Sequence, residues 1–158
     1  MKDPIRDKQA SRTSLTLNDI GIDDCDLRME MFTLCDGASE QGGRLSLIGT
    51  YEAIHAAGFP CVLPQVTVVL RIRFWPQEGN LHLFRLVLTN PDGKPLGVLV
   101  DATATLPPFI EDRSTVFNII AHLQHVGIEE PGEHTLDFYL DDKMAGRLPV
   151  NVCSMVRA

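Results

Sequence analysis

The chain has 158 residues, 44% of them hydrophobic, and a formal net charge of −7 from 14 basic and 21 acidic residues. That length fits a single domain whose core is large enough to need no disulfide or metal staple. The acidic balance argues against a nucleic-acid groove or a site for an anionic membrane surface. The chain also lacks an apolar run near the roughly 20 residues of a membrane span.

Residues 1–26 differ from the rest of the chain. Residues 1–13 are charged, polar and without period, which predicts a mobile tail. The apolar residues that follow predict a strand that docks loosely: Leu15, Leu17, Ile20 and Ile22. We therefore predict an N-terminal extension over 1–26 and one domain over 27–158.

The number and spacing of the cysteines indicate the cellular compartment. Four are present and widely spaced, without a CxxC pair: Cys25, Cys35, Cys61 and Cys153. The first residues also lack the apolar core of a signal peptide. We predict a soluble cytoplasmic protein with free, mostly buried thiols.

Alternation of apolar and polar residues predicts about eight strands, because successive side chains of a strand point to opposite faces. In chain order these are Leu27–Asp36, Arg44–His55, Gln65–Trp75, Leu81–Thr89, Leu96–Leu106, Phe117–Val126, Glu133–Asp141 and Met144–Val152.

The segments between the strands carry turn signals. Asp36 is predicted to cap a short helical turn that Gly42 and Gly43 end. The sequence Glu130-Pro131-Gly132 predicts a type II turn, and Asp141-Asp142-Lys143 predicts a short hairpin loop. Strands and turns together predict an all-β fold, an antiparallel two-sheet β-sandwich that is immunoglobulin-like in outline. A closed β-barrel is the alternative.

The third predicted strand has the clearest two faces. Its inward set is apolar and consists of Val66, Val68, Leu70, Ile72 and Phe74. Val69, Arg71 and Arg73 are predicted to point outward. We expect Leu81–Thr89 to pair with this strand, so Val87 would join Val69 in an apolar patch with the two arginines at its margin. Such a composition is typical of protein interfaces.

Other candidate sites have plainer explanations. Asp36 and Glu40 are four residues apart and could act as an acid–base pair, but a helix cap and a surface glutamate also explain them. His122 and His125 would face opposite sides of a strand, so one metal ion cannot bind both. Cys35 lies beside Asp36, which disfavours a thiolate nucleophile. We predict no catalytic residue, metal or cofactor.

The segment Met31-Phe32-Thr33-Leu34-Cys35-Asp36, followed by Ser39-Glu40-Gln41-Gly42-Gly43-Arg44-Leu45, resembles the opening of a bacterial family of uncharacterised proteins. The later turn Glu130-Pro131-Gly132-Glu133 is similar too. The resemblance extends from about Met29 to Val152. It implies a fold and assigns no activity.

We therefore expect a non-catalytic interaction module that binds a protein partner or forms a homo-oligomer, and neither nucleic acid nor membrane. Its predicted contact residues are Val69, Arg71, Arg73, Val87, Asp36 and Glu40. An alternative is a site for a small ligand or carbohydrate on a sheet face or loop. A third hypothesis is a hydrolase that uses Asp36 and Glu40.

Overall fold

The computed structural model describes residues 28–155, so the predictions on the extension over 1–26 lie outside the described residues. The described part contains nine strands and one turn of 3₁₀ helix at Pro76–Glu78. The strands are β1 (Met29–Gln41), β2 (Arg44–Thr50), β3 (Ala53–Ala56), β4 (Cys61–Phe74), β5 (Leu81–Thr89), β6 (Pro95–Thr105), β7 (Thr115–Ile128), β8 (Gly132–Leu140) and β9 (Lys143–Ser154).

The strands form two open sheets. Sheet A has the order β2-β1-β4-β7, and sheet B has the order β3-β9-β8-β5-β6. Every pairing is antiparallel except the parallel pair β3–β9. The prediction of an all-β chain with two sheets is confirmed. The alternative of one closed barrel is wrong, because the described strands do not close into a single sheet.

The core lies between the two sheets and has Phe84 of β5 near its centre. The Phe84 ring lies 5.7 Å from that of Phe117 and 6.1 Å from that of Phe138, centroid to centroid. The edge of Phe74 meets it at 6.4 Å. The whole predicted inward set of β4 is buried. Strict alternation therefore identified the core face of β4 correctly.

The count of about eight strands is wrong by one. The segment predicted as one strand, Arg44–His55, is two strands that belong to different sheets. The chain leaves sheet A at Tyr51, whose backbone N–H donates to the Leu34 carbonyl at 3.3 Å. It then joins β9 in sheet B through Ala53. Apolar residues alternate through both strands, so the pattern does not show the change of sheet.

The predicted pairing of β4 with β5 is also wrong. The turn Pro76–Glu78 carries the chain from sheet A to sheet B, where β5 lies between β8 and β6. Glu78 fixes this turn, because its carboxylate accepts a hydrogen bond of 2.9 Å from the Trp75 backbone N–H. Proline ends the strand in the sequence but does not show which sheet the next strand joins.

Two-residue turns join two of the hairpins. Gly42 and Gly43 connect β1 to β2 with φ of +58° and +74°, which is the pattern of a type I′ turn. The helical turn predicted after Asp36 is therefore wrong, since β1 continues to Gln41. Asp141 and Asp142 connect β8 to β9 with φ of +51° and +64°, as the predicted hairpin loop requires.

Truncation of Phe138 tests the packing of the core. Phe138 is 1% exposed, so Phe138→Ala should lower the free energy of unfolding by about 3–5 kcal/mol, the cost of deleting a buried ring. Urea denaturation measures this change. Val62→Ala is the control, because Val62 is 60% exposed and should lose less than about 0.5 kcal/mol. Equal losses in both variants would contradict the assigned core.

Candidate functional site

The β1–β2 hairpin folds back over the outer face of sheet A. We call residues 36–50 the arm. Glu40 near the tip of the arm accepts a hydrogen bond of 3.1 Å from the Asn118 side chain of β7. The Cα atoms of β1 and β7 approach within 8 Å even though β4 lies between the two strands in the sheet. The arm thus crosses β4 and forms a third layer on this face.

Side chains along the arm alternate between a face toward the sheet and a face toward solvent, as expected of a hairpin that lies on the sheet. The residues that face the sheet are Ala38, Glu40, Leu45 and Leu47, and those that face solvent include Ser39, Gln41, Ser46 and Ile48. Beneath the arm, Thr67 and Val69 of β4 and Cys35 of β1 are fully buried. Because Glu40 of the arm reaches Asn118 of β7, we infer that the arm covers these buried positions on the outer face of β4.

Gly49 permits the sharp bend at the base of the arm. Its φ is +67°, and a Cβ atom there would lie 2.2 Å from the Asp36 carboxylate. An L-residue would therefore be strained in the backbone and would also displace Asp36. The carboxylate of Asp36 occupies the space that the missing side chain leaves.

Arg71 and Arg73 lie beside the arm and share one carboxylate. Glu30 of β1 accepts hydrogen bonds from Arg71 Nε at 2.9 Å and from Arg73 Nε at 2.5 Å. Burial alone raises the pKa of the Glu30 carboxyl, but the hydrogen bonds and charges of the two arginines outweigh it and hold that pKa below its ordinary value. The pair therefore offers a ligand less positive charge than two free arginines would.

Asn118 joins the arginine pair to the arm. Its carbonyl oxygen accepts from Arg71 at 3.2 Å, while its amide donates to Glu40. Arg73 donates to the Ser114 hydroxyl at 3.0 Å. The network connects β1, β4, β7 and the tip of the arm, so it holds the arm closed over Val69.

The structure brings together only part of the predicted contact set. Arg71, Arg73 and Glu40 meet through Asn118, and Val69 lies beneath the arm. Val87 is half-buried on β5 of sheet B, so the predicted patch of Val69 and Val87 does not exist. Asp36 and Glu40 are four residues apart in an extended strand, about 13 Å. That separation does not form the close carboxylate pair expected of a helical turn.

Sheet B carries a buried acid that the sequence pattern placed on a wet face. Asp137 is 3% exposed. It accepts hydrogen bonds from Arg147 at 2.6 and 3.2 Å and from the Thr89 hydroxyl at 3.0 Å. Burial raises the pKa of the Asp137 carboxyl, but these partners and the charge of Arg147 lower it further, so the net shift is downward.

His82 links the end of sheet B to the turn that joins the sheets. Its Nδ1 lies 2.7 Å from the Asp141 carboxylate and its Nε2 lies 3.1 Å from the Gly79 carbonyl. Phe74 packs on the ring at 4.6 Å. The cluster connects the β8–β9 turn to the segment that joins the two sheets.

The four strands at the edges of the two sheets differ in how their unpaired backbone groups are protected from pairing with another chain. β3 has only four residues, and β2 is part of the arm. β6 starts at Pro95, carries Asp101 and has two register shifts against β5. β7 has 14 residues and keeps a single register with β4 from Thr115 to Ile128. It contains no proline and no Asp, Glu, Lys or Arg.

Within residues 28–155, no group of three or more His, Cys, Asp or Glu side chains is placed to hold a metal ion. Over the same range, none of the helical segments has the length and apolarity to cross a membrane. Cys35, Cys61 and Cys153 are free thiols. Burial, with the nearby Asp36 charge, raises the pKa of the Cys35 thiol.

The model of a family of unknown function, DUF6941, matches residues 30–153. The chain belongs to this family. The match covers the arm, both sheets and the whole of β7, and it agrees with the resemblance from about Met29 to Val152. A search of the curated proteins gives no match.

The solved structures that match the chain are distant from it. A β-glucosidase from Listeria innocua in complex with isofagomine is 11% identical, with a TM-score of 0.47 over 80% of this chain and 17% of that chain. An alkylpurine DNA glycosylase from Pseudomonas fluorescens, bound to DNA with an abasic site analog, is 7% identical, with a TM-score of 0.44 over 80% and 30%. The chain thus spans less than a third of either protein.

The sequence interpretation missed Asn118, Asp137 and His82 as connecting residues. Each lies at a polar or inward position of an alternating strand. The alternation predicts which face of the sheet the side chain lies on, but it does not predict the hydrogen-bond partner. One signal was present: His82 stands in a strand whose remaining residues are mostly apolar. The partners of His82 and Asp137 lie 59 and 48 residues away along the chain, which periodicity does not encode.

Removal of the Asn118 side chain should loosen the arm. Asn118→Ala deletes the hydrogen bond to Glu40, so backbone amides of residues 36–50 should exchange with solvent roughly 3–10-fold faster, as the loss of one hydrogen bond predicts. Hydrogen exchange followed by mass spectrometry measures this. Asn151→Ala, at an exposed asparagine of β9, should leave the arm unchanged. An unchanged arm in both variants would show that Asn118 does not hold it.

Asp137 should make stability depend on acid pH. Its folded pKa lies below its ordinary value, so its contribution is present at neutral pH and is lost as the pH falls through the folded pKa. Asp137→Asn should cost about 1–3 kcal/mol at neutral pH, and the difference from wild type should shrink on acidification. Urea unfolding across pH measures both.

Asp101→Asn is the matched control for this pH series. The side chain of Asp101 is 52% exposed and its contact with Arg85 is 3.6 Å, so its loss should change stability by less than about 1 kcal/mol. The quantity to compare is the free energy of unfolding of wild type and of Asp137→Asn. If their difference stayed constant down to acid pH, the lowered pKa assigned to Asp137 would be contradicted.

Proposed function

We propose that this chain is a non-catalytic interaction module with an immunoglobulin-like β-sandwich, which binds protein through the open edge of β7. The uncharged edge of β7, which keeps one register from Thr115 to Gln124 and precedes the positive φ (+53°) of His125, carries this proposal. An outer strand presents a row of unpaired N–H and C=O groups that another strand can join. Proteins usually protect such edges with proline, charge, bulges or short length, and β2, β3 and β6 each show one of these devices.

The side chains of β7 support strand addition. Its core-facing residues are only partly buried, although they pack on the core: Phe117, Ile119, Ala121 and Leu123. An added strand would cover their open flank and gain roughly 25 cal/mol for each Å² of apolar surface removed from water. Backbone hydrogen bonds would supply the geometry, and these apolar residues would supply the free energy.

The partner that fits this edge is a second copy of the chain. An antiparallel β7–β7 pair centred on Ile120 places residues of the same face opposite each other. On the core side, Phe117 then meets Leu123 and Ile119 meets Ala121. On the outer side, the two Ile120 side chains meet. No like charges face each other across this seam, whereas the rest of the molecule carries a net charge of −7.

The remaining expectations fit the same proposal. The acidic charge supports a protein partner over nucleic acid or an anionic membrane. The free thiols at Cys35, Cys61 and Cys153 support a reducing cytoplasm. The separation of Asp36 from Glu40 supports a binding role over hydrolysis by that pair. Arg71 and Arg73 lie outside the seam, and their role is to hold the arm through Glu30 and Asn118.

A single lysine in the seam tests the proposal. Ile120→Lys would place two positive charges opposite each other at the centre of the paired strands, so the dimer should dissociate while the fold persists. Sedimentation velocity over a range of concentrations measures the state of association, and circular dichroism checks the fold. Wild type should be a dimer at high concentration.

Val98→Lys is the matched control, since Val98 is a 56% exposed valine on the outer strand β6 of sheet B. That variant should dimerise as wild type does. A wild-type chain that remains monomeric at its highest soluble concentration would defeat the proposal. If only Val98→Lys dissociated the dimer, the dimer contact would lie at β6 and not at β7.

A further inference from the structure

The strands β1 and β4 diverge at the base of the arm. Their pairing ends at Cys35 and Thr67, and the earlier part of β4, residues 61–66, pairs with β7 alone among the described strands. Beside this divergence lies a surface cleft of about 210 Å³. Tyr51, where the chain leaves sheet A, lines part of it. The volume is below the roughly 300 Å³ at which pockets for drug-sized ligands begin, so the cleft admits only a small molecule.

Apolar and polar side chains both line the cleft. The apolar residues are Ala53, Ile54, Leu63, Pro64 and Val66, and the polar residues are Asp36, Tyr51 and Gln65. Of these described residues, only Asp36 carries a formal charge at neutral pH. The cleft therefore combines an apolar wall with one negative charge, and no positive side chain among its lining residues balances that charge.

The Asp36 carboxylate is available to a ligand. The residue is exposed, and one carboxylate oxygen lies against Gly49, where a Cβ atom would be 2.2 Å away. Within residues 28–155, no basic side chain pairs with it. The carboxylates of Glu30, Asp137 and Asp141, by contrast, each contact an arginine or histidine nitrogen. A cationic ligand would supply the partner that the described side chains do not.

Tyr51 brings a phenol to the same cleft. Burial raises the pKa of this phenol, and the negative charges of Asp36 and Cys35 raise it further, which indicates that the Asp36 carboxylate lies near the Tyr51 side chain. The phenol therefore keeps its proton at neutral pH. Its oxygen and the amide oxygen of Gln65 can each accept a hydrogen bond, as the carboxylate does. Three acceptors in one cleft match the three N–H donors of a primary ammonium group.

We propose that this cleft binds a small primary alkylammonium ion. The ammonium group donates to Asp36, Tyr51 and Gln65, and the alkyl chain packs against Ile54 and Leu63. The ligand is a cation because the cleft carries one negative charge, and it has an alkyl chain because the other lining residues are apolar. The net charge of −7 also attracts such a cation from a distance. The lining residues lie outside β7, so the site does not depend on the dimer.

Three probes separate the effect of the charge from that of the alkyl chain. n-Butylamine keeps its proton at neutral pH, as a lysine side chain does. 1-Butanol has the chain without the charge, and methylamine has the charge with a single carbon. Wild type should bind n-butylamine about 2–5-fold more tightly than 1-butanol, as expected of an ion pair that water still reaches. It should bind methylamine about 3–10-fold less tightly than n-butylamine, because fewer methylene groups are buried. NMR titrations followed at the backbone amides of residues 51–54, 65 and 66 measure the three affinities.

Asp36→Asn should keep the fold, which circular dichroism checks, and lose the preference for the amine over the alcohol. Glu52→Gln is the matched control, because it removes the same charge from an exposed acid beside Tyr51 that does not line the cleft. That variant should retain the preference. Equal affinity of wild type for n-butylamine and 1-butanol, or for n-butylamine and methylamine, would overturn the proposal. So would a preference that survives in Asp36→Asn or that Glu52→Gln also abolishes. If Asp36→Asn does not fold, the three probes on wild type decide alone.

Discussion

The burial of β4 on both faces is the constraint on which the rest of the structure depends. Its inward residues, such as Leu70 and Phe74, form the core with sheet B, while its outward residues Thr67 and Val69 are just as inaccessible to water. A strand at the centre of a four-stranded sheet reaches this state only if something covers the second face. We infer that the cover is the arm, because its Glu40 reaches Asn118 of β7 on the far side of β4.

This cover has consequences for the surface. Glu30 pairs with both Arg71 and Arg73 and reduces their positive charge, and Asn118 connects Arg71 to the tip of the arm. These polar groups resemble a binding site, but their contacts hold the arm in place. The outer face of β4 is consequently unavailable to a partner. Among the described strands, β7 carries no Asp, Glu, Lys or Arg and keeps one register with β4. The proposed role follows from what the arm leaves open.

Much of the fold could be predicted from the sequence, because a two-residue period encodes which side chains share a face. That rule correctly assigned the inward residues of β4, the hairpin loop at Asp141 and Asp142, and the all-β class. It failed where the decisive contact is distant in sequence. Asp36 before two glycines fits a helix cap as well as a bent hairpin, and only the packing of the arm onto Asn118 selects the hairpin.

The candidate sites were harder to predict for the same reason. Alternation placed Val69 on a wet face, because it does not show that the arm covers that face. It joined Val87 to that patch, because Pro76 ends a strand without indicating the next sheet. Alternation with Leu136 and Phe138 would place Asp137 on an exposed face. Arg147 and Thr89 supply the partners that allow this carboxylate to be buried.

Hydrogen exchange of β7 at low and high protein concentration tests the central claim most directly. In an antiparallel sheet, alternate N–H groups of an outer strand point away from its one partner. The account predicts that these outward amides between Thr115 and Gln124 exchange quickly in dilute protein and become protected as concentration rises, while the amides of β6 do not change. Outward β7 amides that exchange equally fast at both concentrations would contradict it.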